Sequence, residues 1–175
     1  MNKKEYFIVI GLVILAIILA VNVSSRHLRI EITYPEHDTI LSEEDYLIDT
    51  GNGILKVGQS SWEEVQQIYP RGKTLGMSTI YQSEDKQCLL TFTKKENVLT
   101  MVHIDGNKLA TSRGIKKGYS TAQIENKYGK DYTIVKNLAN SKDFDMVYGI
   151  NRENSVTFQI RNDKVERIVI QKEVI

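Results

Sequence analysis

An internal repeat constrains the fold of this chain of 175 residues more than any other feature of its sequence. The first copy occupies residues 54–70 and reads ILKVGQSSWEEVQQIYP, and the second occupies residues 114–129 and reads GIKKGYSTAQIENKYG. Three pairs of residues mark the repeat, at spacings of 60, 60 and 59 residues: Gly58 with Gly118, Ser60 with Ser120, and Tyr69 with Tyr128. One extra residue in the first copy accounts for the shorter spacing. Such a period indicates two similar supersecondary units.

Each copy has the pattern of a tight turn followed by a short helix. Glycine permits the turn, and Ser60 or Ser120 can accept a hydrogen bond from a helix amide as the N-cap. Apolar and aromatic residues then share one helix face, Trp62, Val65 and Tyr69 in the first copy and Ile124 and Tyr128 in the second. Helices of about ten residues are unstable alone in water, so each must pack on a sheet.

Segments with strand patterning follow each helix. They are residues 77–82, 87–93 and 98–104 after the first helix, and 132–136, 144–150, 155–161 and 164–171 after the second. Alternation in 155–161 predicts that Val156, Phe158 and Ile160 face the core while the intervening residues face solvent. Asn162-Asp163 predicts a tight turn into the last strand. The predicted unit is a helix followed by an antiparallel meander of three or four strands.

The motifs of the second copy resemble those of a known structural group. Gly118, Ser120, Ile124 and Gly129 match without a gap the tandem helix-plus-sheet modules of the β-lactamase-inhibitory-protein-like group. That group is similar to the SmpA/OmlA envelope modules and to modules found beside extracellular CAP domains. The first copy departs from the pattern through its extra residue and through Pro70, where Gly is usual. The resemblance covers residues 53–172 and implies action by protein binding or envelope assembly, with no shared catalytic residue.

An apolar run near the amino terminus predicts a membrane-spanning helix. Residues 7–21 contain no polar side chain, and residues 6–23 would reach about 27 Å as a helix, close to the thickness of a hydrocarbon core. Two lysines precede the run, which favours a cytoplasmic amino end and an extracytoplasmic segment 26–175. We therefore expect a single-pass cell-membrane protein held by a signal anchor. The alternative is a secretory signal peptide cleaved near Ser25.

These patterns predict an α+β protein in which an N-terminal transmembrane helix precedes two helix-plus-antiparallel-sheet repeats. The expected parts are a cytoplasmic end with the anchor (1–25), a spacer (26–52), a first αβ repeat (53–112) and a second αβ repeat (113–175). The spacer is rich in charge, and its residues 29–34 predict one short strand ended by Pro35.

Charge and cysteine content exclude several classes of function. The chain has 23 Lys and Arg against 22 Asp and Glu, and the first 25 residues hold two of these cations and one of these anions. The remaining 150 residues are therefore neutral overall, which argues against a nucleic-acid partner. One cysteine, Cys88, excludes an internal disulfide and a cysteine-rich zinc site. Three scattered histidines and the lack of a Gly-Lys-Ser/Thr motif give no reason to expect a metal or a phosphate cofactor.

Two segments have some likeness to catalytic motifs. Residues 47–51, Leu-Ile-Asp-Thr-Gly, resemble the aspartic-protease loop, in which two carboxylates share a proton, with residues 147–149 as the partner motif. An Asp-Thr-Gly turn at the end of a strand explains Asp49 without any catalytic role. Cys88 and His103 on neighbouring predicted strands suggest a thiol nucleophile if they face each other. Cys88 alternates with apolar residues, however, and this favours a small buried hydrophobe.

The remaining candidates are acidic and aromatic side chains. The acidic group at residues 43–45 suggests a metal site, but without the spacing of a known loop it is more typical of a solvated face or a helix start. Tyr69 and Tyr128 lie in helical register with apolar residues and are expected in the core. Tyr119 is expected to be exposed at a turn, where it is a candidate contact residue.

The sequence thus predicts a membrane-anchored, extracytoplasmic protein-binding module of the cell envelope that is not an enzyme and regulates or inhibits another envelope protein. No catalytic, cofactor-binding or metal-binding residue is assigned, and no nucleic acid or small-molecule substrate is expected. Thr157 and Gln159, on the outward side of the predicted strand, are expected to lie on the contact surface. The alternatives are an architectural or assembly role at the membrane surface and an aspartic-protease-like enzyme that uses Asp49.

Overall fold

The computed structural model of the protein describes residues 30–174, except residues 38, 77–78, 138–141, 150 and 152. The strands are β1 (Ile30–Thr33), β2 (Leu47–Asp49), β3 (Ile54–Lys56), β4 (Lys73–Thr74), β5 (Ile80–Gln82), β6 (Cys88–Phe92), β7 (Leu99–Ile104), β8 (Thr133–Asn137), β9 (Phe144–Tyr148), β10 (Ser155–Arg161) and β11 (Lys164–Gln171). The helices are α1 (Trp62–Ile68) and α2 (Thr121–Tyr128), and residues Glu43–Tyr46 form a 3-10 turn.

Nine of these strands form one antiparallel sheet in the spatial order β1-β8-β9-β10-β11-β7-β6-β5-β4, and β2 pairs with β3 in a separate hairpin. Each repeat contributes a helix followed by four strands, α1 with β4 to β7 and α2 with β8 to β11. The last strands of the two repeats, β7 and β11, pair with each other, and Val102 lies opposite Ile170. The sequence predicted two linked sheets, whereas the structure joins both repeats in one sheet.

The expected fold class is wrong in its balance of helix and strand. Of the described residues, 41% are in strands and 14% in helices, so the protein is mainly antiparallel β and not α+β. The helices are shorter than expected, with 7 residues in α1 and 8 in α2. The strands that follow the helices hold 16 residues in the first repeat and 25 in the second, against 7 and 8 residues in the helices themselves.

The expected membrane anchor is also corrected. Residues 6–23, on which that prediction was based, lie outside the described residues. Among the residues that the structure describes, no helix is long and apolar enough to cross a bilayer. This finding contradicts the single-pass cell-membrane assignment, and the alternative of secretion after cleavage near Ser25 is not contradicted.

Helix α1 begins one residue later than the repeat predicts. The Ser61 hydroxyl, and not that of Ser60, accepts the hydrogen bond from the Glu64 N–H at 3.2 Å, and the Glu64 carboxylate accepts one from the Ser61 N–H at 2.9 Å. Ser60 is buried, and its hydroxyl accepts a hydrogen bond from the Lys56 N–H at 3.0 Å. The extra residue of the first copy therefore lies between Gly58 and the cap of the helix.

The second copy follows the predicted pattern. Ser120 caps α2, and its hydroxyl accepts a hydrogen bond from the Gln123 N–H. The turn glycines Gly58 and Gly118 have φ of 87° and 89°, a region that favours glycine. The N–H of Gly58 donates to the carbonyl of Leu99 in β7, and the N–H of Gly118 donates to that of Val165 in β11. Each glycine thus ties the start of its helix to the last strand of its own repeat.

One core lies between the sheet and a layer made of both helices and the β2–β3 hairpin. Val156, Phe158 and Ile160 of β10 are fully buried, which confirms the prediction from alternation. Asn162 and Asp163 both have positive φ and form the tight turn into β11, which is also confirmed. The other predicted strands that follow α1 and α2 are present with ends shifted by a few residues.

Part of the expected spacer, residues 26–52, belongs to this fold. Strand β1 pairs with β8 at the outer edge of the sheet, and Tyr46 and Ile48 are buried in the core. The carboxylate of Asp45 is 1% exposed and accepts two hydrogen bonds of 2.7 Å from Arg113. The acidic group is a helix start, as one of the two interpretations had it, because residues 43–45 form the first turn of the 3-10 helix. The other interpretation, a solvated face, is wrong for Asp45. In the described part of the chain, no three His, Cys, Asp or Glu side chains are placed to share a metal ion.

Candidate functional site

The two faces of the nine-stranded sheet differ in how they are covered. The helices and the β2–β3 hairpin pack on one face through the alternate side chains that form the core. The strand residues that alternate with these core residues point to the other face of the sheet, which we call the open face. On β10 and β11 the open face carries Thr157, Gln159, Val169 and Gln171, all of which are partly exposed.

A groove of about 340 Å³ crosses the centre of the open face. Side chains from six strands line it, among them Met101, His103, Val135, Val147, Thr157 and Val169. Both repeats contribute, because β7 comes from the first and β8 to β11 come from the second. The groove therefore exists only because the repeats share one sheet.

Strand register arranges the centre of the open face as one row of side chains. Val147 lies opposite Thr157 and Thr157 lies opposite Val169. The row continues across the joint between the repeats, where Val169 lies opposite His103 and His103 lies opposite Leu89. Side chains directly opposite each other in antiparallel strands are about 4.5–5.5 Å apart at Cβ. The row is thus a nearly continuous strip of apolar and uncharged polar groups.

Ion pairs flank this row. Arg167 of β11 pairs with Asp105, which follows β7 directly. Arg161 at the end of β10 lies 3.4 Å from a carboxylate oxygen of Asp145 and 3.7 Å from one of Glu166. Neighbouring anions balance these cations. The central row has no Asp, Glu, Lys or Arg, whereas the margin of the open face beside it is formed by ion pairs.

His103 is the titratable group in the central row. Burial lowers its pKa, the charge of Arg167 lowers it further, and Asp105 offsets part of this effect. The ring is therefore neutral at pH 7, because an unperturbed histidine already titrates below that pH. Its Nε2 atom lies 2.9 Å from the sulfur of Met101, on the same strand.

The pairing of Cys88 with His103 as a nucleophile and base is wrong. In the register of β6 and β7, His103 lies opposite Leu89 and Cys88 lies opposite Ile104, so the two side chains point to opposite faces of the sheet. Cys88 is buried in the core, where its sulfur lies 3.7 Å from the hydroxyl of Tyr69. Burial raises the pKa of the thiol, and a thiol with a raised pKa is a poor nucleophile at neutral pH.

Asp49 lies in a turn at the end of β2. Its Oδ1 atom accepts a hydrogen bond from the Gly51 N–H at 2.8 Å, and the Thr50 hydroxyl donates to the carbonyl of Gly53 at 2.7 Å. Tyr148, from the motif that would supply the second half of a protease site, is buried in β9, and its hydroxyl donates to the carbonyl of Gly129. Turn chemistry accounts for the Asp-Thr-Gly segment as the structure places it.

The aromatic side chains of the two repeats are either buried in the core or packed against it. Tyr69 and Tyr128 are buried, as predicted, and Trp62 packs edge-on against the rings of Tyr81 and Phe92. Tyr119 is partly buried and packs against the core, so the expectation of an exposed turn residue is wrong. Thr157 and Gln159, the expected contact residues, both line the groove of the open face.

Of the central row, the sequence identified only Thr157; Gln159, which it also identified, lies on the open face in the row beside it. The alternation of β10 identifies which of its residues face outward, but it does not identify the strand beside it. Val169 and His103 become neighbours only through the pairing of β11 with β7. Alternation within β7 and β11 could have shown that His103 and Val169 face away from the core, but not that they are neighbours.

Comparisons with known proteins add no relative. No protein-family model matches the chain, no curated protein matches it, and no solved structure matches it. The resemblance of residues 53–172 to helix-plus-sheet modules of envelope proteins stays a prediction.

Proposed function

We propose that the protein is a non-enzymatic, extracytoplasmic binding module of the cell envelope and that its open face contacts a partner protein. The observation that supports this most is the row from Val147 through Val169 to Leu89, which joins both repeats in one uncharged strip. The partner of our proposal is an envelope protein that this module regulates or inhibits.

The composition of the open face favours a protein partner. The centres of protein–protein interfaces are depleted in charge and are surrounded by a polar rim. The central row has the first property, and the ion pairs of Arg161 and Arg167 supply a charged rim along one side of it. A groove that is open along the sheet also suits a broad partner better than a small ligand, which usually needs a site enclosing most of its surface.

The pairing of the central strands on both sides also favours a binding role. The central strands are hydrogen-bonded on both sides, and their inward side chains are fixed in the core. Binding then requires little ordering of the backbone, so less of the contact free energy is lost on association.

Partner capture with matched variants tests this proposal. The full chain, tagged at its carboxyl end, is used to recover proteins from solubilised envelopes in three forms, the wild type, Gln159→Arg and Gln66→Arg. Gln159 lies on the open face, whereas Gln66 is an exposed residue of α1 on the other side of the sheet. We expect Gln159→Arg to lower recovery of the partner at least tenfold and Gln66→Arg to leave it unchanged, with equal thermal stability for all three. Full recovery by Gln159→Arg would contradict the proposal. A fourth form, Thr157→Arg, repeats the test within the central row, with the same expected loss of recovery.

Complementation separates a binding role from an enzymatic one. In a strain that lacks the protein, Asp49→Asn should restore the phenotype fully, because Asp49 serves only its turn. Cys88→Ser should do the same wherever the variant is folded. Loss of complementation by a folded and exported Asp49→Asn protein would favour the aspartic-protease alternative.

A further inference from the structure

The two edges of the nine-stranded sheet are protected to different degrees. At one edge β4 has only two residues, one of them Lys73, and short charged strands resist pairing with another chain. At the other edge all four residues of β1 are exposed, and they include neither proline nor lysine. Edge strands of this second kind present free backbone donors and acceptors for strand addition.

Exposed apolar side chains are concentrated on the β1 edge. The described residues include six exposed large hydrophobic side chains, and three of these lie within residues 30–34. Ile30 is 62% exposed, Ile32 is 40% exposed and Tyr34 is 75% exposed. Ile32 lies opposite Val135 of β8, so alternation places Ile30 and Ile32 on the same side as the open face. Tyr34 directly follows β1, and continuing the strand by one residue would place it on that side too.

We propose that β1 pairs in antiparallel fashion with β1 of a second copy of this chain, with Ile32 opposite Ile32 of that copy. Sheet faces stay continuous only when opposing side chains lie on the same side, so a two-fold register is centred on one residue of β1. Centres at Ile30 or Thr33 pair mostly residues outside β1, which leaves the registers centred on Glu31 and on Ile32. One of them places Glu31 opposite Glu31, and like charges directly opposite each other are destabilising. The other places Ile32 opposite Ile32, and it also sets Ile30 opposite Tyr34 and Glu31 opposite Thr33.

The selected register is complementary to itself. It aligns all the exposed apolar side chains of residues 30–34 across the joint and brings no two like charges together. The two-fold axis is then perpendicular to the sheet, so the open faces of both copies lie on one side of a continuous sheet of eighteen strands, twice the nine of one copy.

The size of this contact predicts a weak dimer. Stable interfaces bury about 800 Å² on each partner, and one short strand with its side chains supplies well under that area. We therefore expect a dissociation constant in the range of about 1 μM to 1 mM. This dimer goes beyond the proposed partner binding and does not depend on it.

Cysteine cross-linking in the full chain tests the register. Ile32→Cys places two thiols at the two-fold axis, within the distance that a disulfide requires. Glu31→Cys and Ile54→Cys are the controls, because Glu31 is offset by one position and Ile54 is exposed on the β2–β3 hairpin. The wild type is a further control, since its own Cys88 is buried. We expect Ile32→Cys to form a covalent dimer on mild oxidation at least ten times faster than any control.

A mixed pair of variants gives a second, independent test. Ile30→Cys and Tyr34→Cys, when mixed, should form a cross-linked heterodimer faster than either forms a homodimer. Equal rates for Ile32→Cys and Ile54→Cys would overturn the proposal, as would faster dimerisation of Glu31→Cys, which centres the other register. If residues 1–29 or a different protein cover β1, Ile32→Cys stays monomeric, and that result also overturns it.

Discussion

Asp45 is a buried carboxylate whose charge is balanced by Arg113. The guanidinium donates to both carboxylate oxygens at 2.7 Å and also lies 4.4 Å from the centre of the Tyr128 ring. Burial alone raises the pKa of Asp45, but hydrogen bonds from Arg113 and the Ser42 N–H, with the charge of Arg113, outweigh it and hold the pKa below its usual value. This ion pair ties the 3-10 turn before β2 to the loop before α2.

We predict that Asp45→Asn destabilises the protein. The change removes the anion and leaves the Arg113 guanidinium without a carboxylate partner; the loss of one member of a buried pair costs about 3–5 kcal/mol. Since the Arg113 side chain is 30% exposed, solvent screens part of that cost, and we expect about 2–3 kcal/mol. Urea unfolding at pH 7 measures the difference, with the exposed Glu44→Gln as the matched control, for which we expect no change.

The same ion pair predicts a dependence of stability on pH. The folded-state pKa of Asp45 is lowered, so its contribution to the free energy of unfolding is complete above the unfolded pKa of about 3.9 and is lost as the pH falls through the folded value. The difference in unfolding free energy between the wild type and Asp45→Asn should therefore be constant from pH 7 to pH 5 and should shrink below pH 4. A difference that stays constant down to pH 2 would contradict this account.

Cys88 should be inert in the folded protein. Its side chain is buried in the core and burial raises the pKa of the thiol, so both access and thiolate formation are suppressed. We expect a thiol reagent at pH 8 to modify the wild-type protein at least a hundred times more slowly than it modifies the added cysteine of Ile54→Cys. The rate for Cys88 should rise with urea in parallel with global unfolding.

At the scale of elements, the two helix starts are equivalent, although the sequence alignment of the repeat pairs the wrong serines. Ser61 and Ser120 cap their helices, while Ser60 accepts a hydrogen bond from the Lys56 N–H. The cap Ser120 lies two residues after Gly118, whereas the cap Ser61 lies three residues after Gly58. The turn absorbs the extra residue, and the helix keeps its cap.

We predict different local effects for Ser61→Ala and Ser60→Ala. Loss of a serine N-cap costs about 1 kcal/mol, and Ser61→Ala should speed hydrogen exchange at the amide of Glu64, to which the hydroxyl is bonded. Ser60→Ala should instead speed exchange at the amide of Lys56. Ser120→Ala provides the matched comparison in the second copy, with faster exchange at Gln123. The reverse assignment for Ser60 and Ser61 would place the cap where the sequence alignment has it.

At the scale of the whole molecule, the pairing of β7 with β11 makes the repeats one structural unit. Val102 and Ile104 of the first repeat and Ile168 and Ile170 of the second are fully buried where these strands meet. Separation of the repeats would expose these side chains and leave the hydrogen-bonding edges of two central strands unpaired. Neither repeat is therefore expected to unfold while the other stays folded.

We predict a single cooperative unfolding transition. Trp62, the one tryptophan of the chain, reports on the first repeat, because it packs against Tyr81 and Phe92. Hydrogen exchange of β9 and β10 reports on the second. Both probes should give the same urea midpoint, as two-state unfolding requires. Midpoints that differ beyond experimental error would show that the repeats unfold separately.

Local patterns in the sequence determined a large part of the fold. The alternation of residues 155–161, the turn at Asn162-Asp163 and the strands after each helix were predicted correctly, because side-chain period and turn conformation depend on neighbouring residues. The burial of Phe158 and Tyr128 followed from the same patterns. The fold class, the joining of both repeats in one sheet and the composition of the central row could not be predicted from local patterns.

Only the tertiary structure decided which strands lie side by side. The pairing of β11 with β7 creates the central row, and the pairing of β1 with β8 turns part of the expected spacer into the exposed edge of the sheet. Asp45 and Arg113 are 68 residues apart in the chain, and neither residue type nor spacing signals their contact. Register likewise separates Cys88 from His103 onto opposite faces. The last of these outcomes depends on a register shift between Thr91 and Phe92 in the β6–β7 hairpin, which alternation within either strand does not reveal. The others depend on contacts between segments distant in sequence, and such contacts are selected by the packing of the whole core, which leaves no periodic signal in any one segment.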